Sequence, residues 1–157
     1  MSRAKQPQSS AGVSPASNGL PPGWAQVSIG DVTISKVEHS EPTGKSEFRY
    51  VDIASVENQA KLITEPKSIP VAKAPSRARQ LIIAGEVLVS MTRPNLNAVA
   101  LVPPQLESAI ASTGFDVLRS NGAVLPDWLF LLVRSKGFVG AMTDLVGSGF
   151  FFVKMLK

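Results

Sequence analysis

The chain has 157 residues, of which 44% are hydrophobic and 18% charged, and its formal net charge is +4. This length allows one domain with a buried core, and the composition is that of a globular protein rather than a disordered chain or a coiled coil. The sequence has no cysteine and a single histidine, His39, which excludes disulfides, thiol nucleophiles and multi-histidine metal sites. It also has neither a secretory signal nor an apolar run of the ~20 residues that a spanning helix needs, so we expect a cytoplasmic protein.

The first third of the chain predicts a leader followed by short strands. Residues 1–19 are rich in Ser, Ala, Gly and Pro and predict a disordered leader. A Pro-Pro-Gly turn then precedes Trp24, which we expect in the core, and the alternating pattern of residues 25–37 predicts a strand. The β-branched and aromatic run at 48–56 predicts a second strand.

The middle of the chain alternates between irregular and strand-like segments. Three prolines in residues 63–76 predict an extended, irregular path. Ser76 is suited to cap a helical turn over "RARQ". Residues 106–112 fit either a brief helix or an irregular crossing. Further strands are predicted at 81–83, 87–91, 97–102 and 115–120.

The last part of the chain predicts helices. Between Pro126 and Val146 the apolar residues recur at helical spacing, with Trp128 and Leu131 on the predicted apolar face and Gly137 dividing two helices. The whole pattern therefore predicts the α+β class: a mixed, twisted β-sheet domain of short strands with a helical C-terminal section.

Signatures of catalysis are missing from the sequence. It contains no GxxxxGK[ST] loop, no GxGxxG fingerprint and no GxSxG elbow. Asp52, Glu57 and Glu86 are the carboxylates considered for a catalytic site, but Glu86 follows a turn glycine and is expected at the surface. His39 lies in a loop-like segment. We therefore predict no catalytic residue, no metal ligand and no cofactor for this chain.

The positive charge is concentrated in the middle of the chain. Residues 61–93 hold six basic side chains against two acidic ones, whereas the remainder holds ten of each. Such an excess is either a solvated face or an anion-binding surface. Arginine and asparagine can make bidentate contacts to base edges, and lysine supplies charge to phosphates. The candidate contact residues around the central strands are Lys73, Ser76, Arg77, Arg79, Arg93, Asn95 and Asn97.

Four phrases occur in order: "LPPGWAQVSIGDV", "YVDIASVEN", "APSRARQLIIAGEVLVSMTRPNLNAVALV" and "ASTGFDVLR". Together they closely resemble the target recognition domain of type I restriction–modification specificity subunits, over roughly residues 20–147. The resemblance implies a non-catalytic, sequence-specific DNA-binding domain that reads one half of a split target. It also implies a methyltransferase subunit and a motor-nuclease subunit as partners, which carry S-adenosylmethionine and ATP and perform methylation and cleavage.

By the family pattern, "PSRARQ" and "SMTRP" belong to the framework that presents loops to DNA. A DNA-facing role is carried over to Arg77, Arg79 and Arg93, with bracing of the fold as the alternative.

The sequence departs from the family in two respects. It has one recognition domain, at 20–149, and no recognisable helical spacer, and residues 150–157, "FFFVKMLK", do not match the family. We interpret the chain as a truncated or frameshifted gene product, with a free-standing module as the alternative. The alternative function is that of a remnant or subunit-interaction protein without DNA binding of its own.

Overall fold

The computed structural model describes residues 26–34, 37–43 and 46–146, without the side chains of Leu145 and Val146. Trp24, the predicted leader and the non-matching tail lie outside these residues. The strands in the described ranges are β1 Glu47–Val51, β2 Val56–Glu57, β3 Leu62–Ile63, β4 Lys67–Pro70, β5 Ala78–Ile82, β6 Val87–Ser90, β7 Val99–Leu101, β8 Ala109–Ser112 and β9 Phe115–Leu118. The helices are α1 Ile29–Val32, α2 Pro126–Val133 and α3 Lys136–Val146.

The strands form mixed and antiparallel sheets. A four-stranded sheet has the order β4-β1-β8-β5, in which β1 and β8 run parallel and the other pairs antiparallel. A three-stranded antiparallel sheet has the order β7-β6-β9, and β2 pairs with β3. This arrangement, with helices α2 and α3 at the C-terminal end, confirms the predicted α+β class.

The core has two apolar layers on either side of β6. Successive side chains of a strand point to opposite faces. Leu88 therefore packs into the cluster shared with the four-stranded sheet, while Val87 and Val89 pack toward Leu129 and Val133 of α2. All four residues of β6 are buried, so this strand is the centre of the fold.

The structure corrects the predictions for two early segments. The described part of the predicted strand at 25–37, residues 26–34 and Val37, contains the short helix α1 instead, which begins after Ser28, whose backbone N–H donates to Asp31 at 2.8 Å. The segment "RARQ" is not helical. Ser76 and Arg77 form a turn and Ala78 begins β5, where pairing with β8 satisfies the backbone and overrides local helix propensity.

Corrections also apply to the second half. Residues 109–112 form strand β8, which neither predicted alternative included. Trp128 and Leu131 are 54% and 59% exposed, because α2 packs through Leu129 and Val133 instead. Nearly every residue of this helix is apolar, so periodicity does not identify the inner face. No helix of the described ranges is both long and apolar enough to cross a membrane.

Candidate nucleic-acid interface

A two-residue turn, Thr113–Gly114, joins two loops that are distant in sequence. The backbone N–H of Thr113 donates to the carbonyl of Arg77 at 2.9 Å, and the carbonyl of Gly114 accepts from the N–H of Met91 at 2.9 Å. The turn connects β8 with β9, which belong to different sheets. The start of β5 and the end of β6 therefore lie at the same end of the scaffold.

Strand register explains this convergence. Ala78 is paired with Ser112, and Ser90 is paired with Phe115, so both loops begin beside the turn. The turn is also tightly packed, since a Cβ atom added to Gly114 would lie 2.8 Å from Cδ1 of Ile53. Ordinary side chains do not fit there without movement of Ile53.

The loop after β6, residues 93–97, is a 3-10 turn between two left-handed residues. Arg93 and Asn97 have φ angles of 51° and 50°, and the turn Pro94–Leu96 lies between them. The N–H of Leu96 donates to Arg93 at 2.9 Å and the N–H of Asn97 donates to Pro94 at 2.8 Å. Arg93 and Asn95 are exposed at this end of the molecule.

Asn97 is held by structural hydrogen bonds. Its Nδ2 donates to the carbonyl of Arg134 at 3.2 Å, and its own carbonyl accepts from Nζ of Lys61 at 2.5 Å. Asn97 thus links the turn that precedes β3 to the end of α2. Its role in base contact stays a prediction, and these bonds show that it also fixes the loop.

The predicted residues before β5 differ in their surroundings. Lys73 ends the 3-10 turn Val71–Lys73, and Lys73, Ser76 and Arg77 are all exposed. Arg79 forms an ion pair with Glu41, and its Nε donates to the carbonyl of Ser76 at 3.1 Å. The guanidinium of Arg79 is therefore partly committed to bracing the loop.

In the folded chain, acidic side chains from other segments neutralise part of the positive charge of residues 61–93. Two of the six basic residues of 61–93, Lys67 and Arg79, pair with acids outside that stretch. Burial raises the pKa of Asp52, the partner of Lys67, but hydrogen bonds from Lys67 and Ser55 outweigh it and leave that pKa below its ordinary value. The sequence count therefore overstates the uncompensated charge of this region.

Basic residues from other parts of the sequence lie close to the 93–97 loop. Helix α3, which begins at Lys136, packs against the turn Pro94–Leu96, and Arg134 lies just before it. Burial lowers the pKa of Lys61, and the nearby charge of Arg134 lowers it further. Sequence reasoning missed Arg134 and the role of Lys61, because contacts across 36 and 37 positions leave no local pattern.

The carboxylates considered for catalysis have separate structural roles. Asp52 caps the 3-10 turn Ile53–Ser55, and Glu57 accepts from the backbone of its own turn. Glu86 was predicted to be exposed, which is wrong: it is 1% exposed and bonded to Arg119. A charge this deeply buried needs a partner, which the sequence pattern did not reveal. Within the described residues, no group of three or more acidic or histidine side chains is placed to hold a metal.

Comparisons with known proteins agree with the fold. No protein-family model matches the chain. It is similar to the type I restriction enzyme HindI specificity subunit of Haemophilus influenzae, with 28% identity over 114 residues that cover 72% of this chain and 24% of that protein.

Solved structures give a closer match. The HsdS subunit from Thermoanaerobacter tengcongensis has a TM-score of 0.77 and 40% identity, covering 86% of this chain and 36% of that one. A chain from a study of complex assembly and conformational transition of the type I R-M system has a TM-score of 0.79, the same identity and the same coverage. The present chain spans 24% to 36% of the length of these relatives.

Proposed function

We propose that this chain, which is similar to part of the specificity subunits of type I restriction–modification systems, binds double-stranded DNA and reads one half of a split target. The observation that carries the proposal is the Thr113–Gly114 turn, which holds the loops of Arg77 and Arg93 at one end of the scaffold. Two loops on a rigid framework can present basic and amide side chains to one stretch of duplex.

The chemistry of the two loops fits such a surface. Arginine can bind phosphate oxygens or make bidentate contacts to guanine, and the exposed amide of Asn95 is suited to adenine. Phosphate contacts fix the position of a protein on DNA, and base contacts provide the sequence preference. The arginines in the two loops would supply the first kind of contact and Asn95 the second.

Under this proposal the chain itself does not catalyse a reaction. The partners would be a methyltransferase subunit and a motor-nuclease subunit, which would hold S-adenosylmethionine and ATP. The recognition domain would direct methylation and cleavage by determining where the assembly binds.

A fluorescence anisotropy titration of the full chain tests the proposal. We expect binding to labelled duplex that weakens with salt, with a slope of about −0.9 per neutralised phosphate. Duplexes carrying a target found by methylome sequencing of the source cell are expected to bind more tightly than random duplex. If neither duplex binds at low salt, the proposed function is wrong.

Variants test the interface itself. Arg77→Ala and Arg93→Ala are expected to weaken DNA binding with a nearly unchanged melting temperature. Arg49→Ala is the matched control, since Arg49 is exposed and lies beside Ser108 and Ala109, at the opposite end of β8 from Thr113. Unfolding of the two loop variants would instead show that these arginines brace the fold.

A second candidate function is subunit interaction without DNA binding. It is favoured by an apolar strip along α2, where Leu125, Trp128 and Leu131 are 73%, 54% and 59% exposed. Exposed apolar strips of this kind are suited to protein contact. Sedimentation of the chain with a methyltransferase subunit, compared between the native chain and Trp128→Lys, tests this candidate.

A further inference from the structure

Asn97 is hydrogen-bonded both to the side chain of Lys61 and to the backbone of Arg134. The ammonium of Lys61 donates to the backbone carbonyl of Asn97 at 2.5 Å, and the side-chain amide of Asn97 donates to the carbonyl of Arg134 at 3.2 Å. Lys61 and Asn97 both have left-handed backbones, with φ angles of 60° and 50°. Such conformations are uncommon for lysine, whereas asparagine adopts them more readily than most residues other than glycine.

The two cations repel each other, and neither forms a salt bridge with a described carboxylate. Burial lowers the pKa of Lys61, and the charge of Arg134 lowers it further, whereas Glu57 acts in the opposite direction. The carboxylate of Glu57 already accepts the backbone N–H groups of Gln59 and Ala60. In the described part of the chain, neither Lys61 nor Arg134 forms a salt bridge.

The edge of the Arg134 guanidinium is suited to bind an anion. Its guanidinium lies over the ring of Phe130, 5.2 Å from the centroid, and the residue is exposed. The N–H groups of a guanidinium lie in its own plane. When one face of the guanidinium stacks on an aromatic ring, these N–H groups can still donate to an oxyanion at the edge. A phosphate between the two side chains would replace their repulsion with attraction to both.

The position of this pair relates it to the candidate DNA-binding loop. Asn97 is the last residue of the 93–97 loop. Helix α3, which begins two residues after Arg134, packs against the turn Pro94–Leu96 of this loop. We propose that Lys61 and Arg134 form a binding site for a phosphate of the DNA backbone, which fixes the 93–97 loop against the duplex. This inference rests on the proposed function and adds residues that come from two other parts of the sequence.

Salt-dependent anisotropy with the full chain tests the site. Lys61→Met and Arg134→Met are each expected to reduce the magnitude of the salt slope by about 0.9. Both are expected to weaken target and random duplex by the same factor, because phosphate contacts carry no sequence information. Lys61→Arg and Arg134→Lys keep the charge and are expected to retain most of the slope, and Arg49→Ala serves as the exposed-arginine control.

Acetylation footprinting gives a second readout on the unmodified protein. Bound random duplex is expected to protect Nζ of Lys61 from acetylation, as measured by mass spectrometry. If the native chain binds duplex but Lys61 stays reactive and both methionine variants keep the native slope, this site is wrong while the proposed function stands. If the native chain binds no duplex, both are wrong.

Discussion

Arg119 donates a hydrogen bond from Nε to Oε1 of Glu86 at 2.6 Å, and this carboxylate is almost fully buried. The second oxygen of Glu86 accepts the backbone N–H of Ile83 at 2.8 Å. The pair thus connects the turn between β5 and β6 to the residue that follows β9. Because Glu86 is shielded from water, its charge depends on Arg119 for compensation.

Removing the arginine alone should be costly. We expect Arg119→Met to lower the free energy of unfolding by about 3 kcal/mol, since it leaves a buried carboxylate without its cation. Urea unfolding followed by circular dichroism measures this change. The double variant Glu86→Gln with Arg119→Met is expected to recover much of the loss, because neither charge remains. A single-variant loss no larger than that of the double variant would contradict this account.

A second prediction concerns acid sensitivity at Asp52. The folded pKa of this carboxyl lies below its ordinary value of 3.8, so its contribution to stability is present above that value and is lost as the pH falls through the folded pKa. We expect Asp52→Asn, which keeps a capping acceptor, to cost at most about 1 kcal/mol at pH 7. Unfolding midpoints of the two proteins should converge as the pH falls through the folded pKa of Asp52, below its ordinary value. A difference that persists at the most acidic pH measured would argue against the ion pair with Lys67.

The two arginines before β5 should behave differently. Arg79 is bonded to Glu41 and to the carbonyl of Ser76 and is only partly exposed, and Arg77 in the turn is more exposed than Arg79. We therefore expect Arg79→Ala to reduce DNA affinity less than Arg77→Ala does. Its effect on stability should stay within about 1 kcal/mol, because the pair with Glu41 is solvent-accessible. Equal losses of affinity in an anisotropy titration would show that Arg79 also contacts DNA.

Most strands could be predicted from sequence, and the reason is local. Runs such as residues 87–91 combine β-branched side chains with turn residues on either side, which is enough to indicate a strand. Residues 29–32 and 109–112 were missed for different reasons: the alternating pattern of 25–37 hid a local helix cap in the first case, and the strand depends on distant partners in the second. The first is fixed by a cap at Ser28, and the second by strands on both sides.

The candidate site was predictable only in part. The "SRAR" and "TRPNLN" segments stand out by composition, and the fold brings both to one turn. The involvement of Lys61 and Arg134 arises from hydrogen bonds to Asn97 across three segments. Burial of Glu86 was likewise invisible, because the compensating charge is 33 positions away in sequence.

Gly114 provides a test of the packing beneath the loops. A Cβ atom there would lie 2.8 Å from Cδ1 of Ile53, so Gly114→Ala is expected to destabilise the protein by about 1 kcal/mol through overpacking. Ile53→Val removes the clashing methyl group. The double variant should therefore unfold at a higher urea concentration than Gly114→Ala alone, and failure to recover would place the strain elsewhere.

The Thr113–Gly114 turn also determines how this surface can change. Because it is bonded to Arg77 on one side and to Met91 on the other, we expect a displacement of either loop to shift its neighbour as well. A loop transplanted from a relative would thus arrive in an orientation set by a segment that was not transplanted. Under the proposed function, a change of DNA target is expected to succeed when the two loops and their turn are exchanged as a unit.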